Sequence, residues 1–112
     1  LARAYAFRKH RSRAVLIYDD DVAVGMALYY DCDEAEAFDL SQLFIDERYQ
    51  GKGYGMAATR CILDEMRRDG KFQKVVLCYI EGNEAARSLY QKCGFRLTGE
   101  ADGNEIVMER NL

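Results

Sequence analysis

At 112 residues the chain has room for one ordinary domain, taken here as 1–112, and not for two. Its hydrophobic share of 49% and charged share of 31% are those of a globular protein that buries a core, and a net charge of −3 speaks against a nucleic-acid binder. Four cysteines with no C-x-x-C pair, beside a single histidine, speak against a zinc site, so no metal is expected.

In chain order, Ala2, Tyr5 and Ala6 recur at helical spacing and predict a short helix over residues 2–11. Arg3, Arg8, Lys9, Arg11 and Arg13 make this start basic. The start at Leu1 rather than Met, in a helix already under way, leads us to expect a missing N-terminal piece. Residues 13–18 and 22–30 are apolar, β-branched runs around Asp19-Asp20-Asp21, which reads as a hairpin. Gly25 inside the second run signals a bulge or a close backbone approach. An acidic loop follows over 31–36, then a strand over 38–45. The acidic residues Asp31, Asp33, Glu34, Glu36 and Asp39 are either solvated surface or a field for a cationic substrate.

A helix is expected over 54–68, with Ala58, Ile62 and Met66 on one face and Gly70 as its stop. Residues 74–79 form a short strand, and Asn83 caps a helix over 84–92 that Gly94 ends. Strands over 95–98 and 105–110 close the chain around a connection at 99–104. Hairpins at both ends of one strand–helix–strand unit give an α+β, mixed-sheet domain rather than a doubly wound one. No apolar run reaches the length of a membrane span, and no signal-peptide pattern is present. Cys61, Cys78 and Cys93 sit in apolar segments, so a reducing, cytoplasmic setting is expected.

Gly51, Gly53 and Gly55 alternate where a strand runs into a helix. Such a turn cradles phosphate, because glycines admit close backbone approach and the helix N-terminus adds unpaired N–H donors and partial positive charge. Lys52 adds a full charge. Gly53-x-Gly55-x-x-Ala58 also matches a dinucleotide fingerprint, with Glu81 near the place of a ribose contact. Antiparallel hairpins before the turn and the short chain after it count against that rival. No Gly-Lys-Ser/Thr is present to make a P-loop.

Gln50-Gly51-Lys52-Gly53-Tyr54-Gly55 resembles the Q/R-x-x-G-x-G/A signature of the GNAT N-acetyltransferases. A second stretch, Asn83-Glu84-Ala85-Ala86-Arg87-Ser88-Leu89-Tyr90-Gln91-Lys92-Cys93-Gly94-Phe95, is similar to that family's N-x-x-A-x-x-L-Y-x-K-x-G-F. The two lie in the family's order and separation, and the resemblance covers nearly the whole chain. Residues 44–55 look most like the bacterial spermine/spermidine acetyltransferase group. The resemblance implies the GNAT acyl-CoA N-acyltransferase fold, a central, mostly antiparallel sheet with flanking helices, here without the family's first strand and most of its first helices. It also implies acetyl-CoA as co-substrate, a small-molecule primary amine as acceptor, and a homodimer that covers exposed apolar surface. A non-catalytic CoA-binding module, and acceptors such as a protein N-terminus, a lysine or an aminoglycoside, are the alternatives.

By the same resemblance, the backbone amides of Gln50, Gly51, Lys52, Gly53, Tyr54 and Gly55 hold the CoA pyrophosphate. Asn83 and Ala86, from the second motif, contact the coenzyme. The main chain of Leu43, Phe44 and Ile45 pairs with the pantetheine arm and polarises the acetyl carbonyl. Tyr90 lies beside the sulfur and protonates the departing thiolate, a task a phenol can perform; its other reading is a core aromatic beside Ala86, Leu89 and Cys93. The base stays open. Polyamine acetyltransferases tend to carry a carboxylate where this chain has Ser41, a poor base unaided. Asp39, two residues earlier and so on the same strand face, is the candidate through a water. Glu36 is more distant, and loss of the amine proton to water before attack is the remaining route.

Overall fold

Period-two alternation makes the first strand of the described chain: β1 (Ser12–Asp19) turns Val15 and Ile17 to the core and leaves Leu16 and Tyr18 exposed. The structure, a computed structural model, describes residues 12–112, so the helix expected over 2–11 lies outside the described residues. β2 (Val22–Cys32) returns antiparallel to β1, and β3 (Ala37–Ile45) returns antiparallel to β2. A 3-10 turn (Glu47–Tyr49) leads to helix α1 (Tyr54–Asp69), then β4 (Lys74–Ile80), helix α2 (Glu84–Lys92), and a closing hairpin of β5 (Arg96–Asp102) and β6 (Glu105–Asn111). The sheet order is β1-β2-β3-β4-β6-β5. Every neighbouring pair is antiparallel except β3 and β4. This is the expected mixed α+β arrangement. Among the described residues no helix is long and apolar enough to cross a membrane.

α1 forms because Ala58, Ile62, Leu63 and Met66 recur on one face, and that face is buried on the sheet. Phe38, Leu40, Val75, Leu77, Phe95 and Met108 meet it from the strands and the end of α2. Each large side chain buried there contributes about 1.5–3 kcal/mol. The glycine flagged in β2 is a close approach: a Cβ at Gly25 would lie 2.3 Å from the Phe44 carbonyl oxygen. β5 runs to Asp102 rather than ending at Thr98, because its register against β6 slips between Leu97 and Ala101 and pairing then resumes.

The acidic stretch departs from expectation. Asp31 belongs to β2, not to a loop, and is 2% exposed. Its carboxylate accepts from the Arg13 guanidinium at 2.8 Å and the Lys71 ammonium at 2.9 Å. Lys71 also pairs with Asp33 at 3.4 Å, and Arg13 with Asp69 at 3.1 Å while lying 4.6 Å over the Tyr29 ring. Burial pushes the Asp31 pKa up, but the hydrogen bonds from Lys71 and Arg13 outweigh it and hold the carboxyl below its ordinary value. Asp31, read as part of a solvated face or a substrate field, therefore ties β2 to β1 and to the loop after α1. Its cationic partners come from 18 and 40 positions away.

A carboxylate with a depressed folded pKa contributes stability above its unfolded pKa and loses it as pH falls through the folded value. Asp31→Asn should lower stability at pH 7 by about 1–3 kcal/mol, since it removes the buried charge that Arg13 and Lys71 share and leaves them only Asp69 and Asp33. The gap to the parent chain should narrow below about pH 4. Urea melts at several pH values measure both; a gap independent of pH would mean the charge of Asp31 is not what stabilises.

Candidate active site

β3 and β4 pair only at Phe38 with Val75 and Asp39 with Val76. Beyond those residues the strands part, and from Leu40 to Ile45 that edge of β3 has no strand partner among the described residues. The gap is a wedge-shaped cleft of about 390 Å³, walled by Leu40–Ile45 on one side, Cys78, Tyr79 and Ile80 on the other, and α2 through Asn83, Ala86, Leu89 and Tyr90. An unpaired strand edge offers a row of N–H and C=O groups to whatever lies beside it.

β3 is irregular inside this wedge. Leu28 faces Gln42 while Tyr29 faces Leu40, so Ser41 is an extra residue with no partner on β2. Its hydroxyl is buried and has no hydrogen-bond partner. Such an orphan is costly unless a ligand meets it.

The wedge continues into a second cleft, of about 360 Å³, over the glycine turn. The two share Ile45, Gly55, Asn83, Ala86 and Leu89. Gly53 is the N-cap of α1, with φ 84°, and supplies no side-chain cap. The first N–H used within the helix is that of Ala57, bonded to the Gly53 carbonyl. The amides of Tyr54, Gly55 and Met56 are therefore left as donors at the positive end of a 16-residue helix. A Cβ at Gly53 would meet nothing within 4 Å, so the space beside it is open to a ligand. That is the geometry an anion needs.

The turn is braced by the side chains of two residues whose backbone amides the resemblance assigns to the coenzyme. The Gln50 amide donates to the Ile45 carbonyl at 2.9 Å. The Tyr54 hydroxyl donates to the Asp19 carboxylate at the β1–β2 hairpin tip, and its ring meets Tyr49 edge-on at 6.1 Å. The Asp19 bond pushes the Tyr54 pKa up. What Tyr54 offers a ligand is thus its main-chain N–H, whereas the Gln50 N–H, expected to hold the pyrophosphate, donates to the Glu47 carbonyl at 3.4 Å. Gly51 lines the cleft with them, whereas Lys52 is exposed and outside its lining.

The remaining assigned residues fall in two places. Leu43, Phe44, Ile45, Asn83, Ala86 and Tyr90 all line the wedge. Asn83 caps α2 through its Oδ1, which accepts from the Ala86 amide at 3.1 Å, and so keeps its NH2 for other use. Burial pushes the Tyr90 pKa up, with Cys93 adding to it, so the phenol is a proton donor throughout the neutral range. Asp39 stands at the closed end of the wedge, just before its lining begins, and accepts from the Tyr30 hydroxyl at 3.0 Å. Glu36 is in the exposed β2–β3 turn. Cys93 is buried and does not line the wedge. Cys78, Tyr79, Ile80 and Leu89 were not foreseen, although strand alternation in β4 and the helical repeat of α2 carried the signal.

A model of the acetyltransferase (GNAT) family matches residues 2–95. The spermine/spermidine N(1)-acetyltransferase of Bacillus subtilis (strain 168) is 36% identical over 110 residues, 92% of this chain and 72% of that one. A solved Bacillus subtilis acetyltransferase in complex with CoA has a TM-score of 0.83 at 15% identity, covering 99% of this chain and 83% of that one. A chimera of the Vibrio cholerae spermidine N-acetyltransferase SpeG and hSSAT has a TM-score of 0.80 at 19% identity, covering 98% and 75%. At such identities the structures speak for the fold. A parted sheet beside an open helix N-terminus, with these relatives, defines an acetyl-transfer enzyme. The chain belongs to the GNAT family of N-acetyltransferases.

Gly53→Ala should cost about 1 kcal/mol of stability, because alanine is strained at this φ. It should weaken CoA binding by at least about tenfold, because the new Cβ stands where backbone must approach an anion. Calorimetric titration and a thermal melt on the same sample separate the two effects. Unchanged CoA affinity would place the coenzyme elsewhere.

Proposed function

We propose that this enzyme acetylates a polyamine with acetyl-CoA, by direct attack of a neutral amine on the thioester carbonyl within the β3–β4 wedge. The observation that carries the reading is the continuity of the cleft, from the open amides at the glycine turn to the protonated phenol of Tyr90. In this reading the chain works as one domain. The amides of Tyr54, Gly55 and Met56 hold the pyrophosphate. The free edge of β3 orders the pantetheine arm as an added strand would be ordered. The main chain at the Ser41 bulge and beyond gives N–H groups to the carbonyl oxygen as charge develops there.

As the N–C bond forms and the C–S bond breaks, the Tyr90 hydroxyl gives its proton to the departing sulfur. The amine's surplus proton leaves through a water to Asp39. Solvent exchange then returns a proton to Tyr90. Net, one amine hydrogen is replaced by acetyl and CoA leaves as the thiol.

A polyamine is favoured by the 36%-identical relative, named as a spermine/spermidine N(1)-acetyltransferase. The wedge supports it too. Asp39 stands at its closed end, and Glu105 of β6 faces Ile80 of its wall. These are the charges a polycation would meet, now that Asp31 and Asp33 are committed to Arg13 and Lys71.

Initial rates with spermidine, butylamine and a lysine peptide test the acceptor. We expect kcat/KM for spermidine to exceed that for butylamine by at least about tenfold, and the excess to shrink with salt. A preference for the peptide would overturn the polyamine reading. Tyr90→Phe should lower kcat about a hundredfold with KM for acetyl-CoA little changed. Because the Tyr90 pKa lies above the usual value near 10, its proton is retained up to that pH, and the rate should show no fall owed to Tyr90 between about pH 7 and 9.5. A descending limb in that range that Tyr90→Phe removes would contradict the assignment.

A further inference from the structure

A third cavity, of about 400 Å³, lies between the second half of α1 and the end of α2. Arg60, Arg67, Lys92 and Arg110 surround it, with Asp64 as the one carboxylate in its lining. Asp64 is paired with Arg67 at 2.7 Å. Among the described residues no carboxylate pairs with Arg60, Lys92 or Arg110. This is notable in a chain whose net charge is −3. Arg110 is held in place: its Nε donates to the Cys93 carbonyl at 2.8 Å, one terminal nitrogen donates to the Asn111 carbonyl at 2.7 Å, and the group lies against Gly94. The other terminal nitrogen is left for a ligand. Arg60 and Arg110 line the cavity together with the buried Cys93. Arg110 faces Val75 at the start of β4, whereas Asn83 and the glycine turn lie past its far end at Ile80. The cavity is therefore separate from the wedge.

The fixed guanidinium of Arg110, beside the exposed Arg60 and Lys92, suits a planar or tetrahedral oxyanion, phosphate above all, because forked N–H donors meet its oxygens in pairs. We propose that this cavity binds a phosphate group, with Arg60, Lys92 and Arg110 as its ligands. The phosphate belongs to a separate phosphorylated molecule, because the cavity and the glycine turn lie at opposite ends of β4.

The test uses calorimetric titration of the parent chain and of the double variant R60A/K92A. Both side chains are exposed, so the variant should melt as the parent does. Inorganic pyrophosphate is titrated into protein saturated with acetyl-CoA, and CoA and dephospho-CoA are titrated separately into free protein. A separate ligand is indicated if pyrophosphate binds the saturated parent and at least about tenfold more weakly to the variant. The separate site is overturned, and the cavity assigned to the coenzyme's own phosphate, if CoA binds the parent at least about tenfold better than dephospho-CoA and the variant loses that preference. The proposal is overturned if saturated protein ignores pyrophosphate and both proteins bind CoA and dephospho-CoA alike. Should no CoA species bind, the proposed function fails, and pyrophosphate titrated into free parent and variant still decides: equal binding, or none, overturns the phosphate site.

Discussion

Two residue pairs, Phe38 with Val75 and Asp39 with Val76, are all that join β3 to β4. One more pair would begin to close the cleft on which the site depends. β3 is held instead by β2, through a register that skips at Ser41 and a contact so close at Gly25 that no side chain fits between them. β4 is held by β6 along its whole length. Each strand is thus satisfied on its outer side and left open on its inner side. The chain tolerates unpaired backbone groups there because they line a cleft rather than a packed core.

The closed end of the wedge is secured by charge rather than by more sheet. Arg13, Asp31, Asp69 and Lys71 join β1, β2 and the end of α1 within a region also packed by Tyr29, Phe38 and Phe72. A buried ion cluster contributes less net stability than apolar packing would, but it fixes partners by geometry. The open end is secured differently, by the Tyr54–Asp19 bond, the Gln50–Ile45 bond and the packing of Leu89 against Gly55. Between these two clasps the strands diverge.

The element order was readable because each element is local. Hairpins, one helical stripe and the Asn83 cap are all set within a few residues, and the strands and helices fall where periodicity places them. The glycine turn was readable for the same reason, as was Asn83. The Ser41 bulge was not, since it is a property of how β3 meets β2 and no residue type announces it. The commitment of Asp31 was hidden as well: its neighbours in sequence are acids, and its partners Arg13 and Lys71 approach only in the fold. Gln50 and Tyr54 show a subtler limit. Motif spacing placed them at the turn, but whether a side chain serves the ligand or the loop depends on Ile45 and Asp19, which the motif does not contain.

The narrow seam also bears on how the molecule holds together as a whole. Residues 12–45 and 74–111 form two sets of strands, each stitched by antiparallel ladders and joined to each other by two residue pairs and by packing on α1. Regions with few cross-connections open at lower free energy than the whole unfolds. A molecule lying along the free edge of β3 would bridge both sets, so it becomes part of the architecture as well as a reactant. By mass action, a ligand present at a hundred times its dissociation constant adds about 2.7 kcal/mol to the folded state. The durability of the fold is then set partly by the supply of the molecule it consumes.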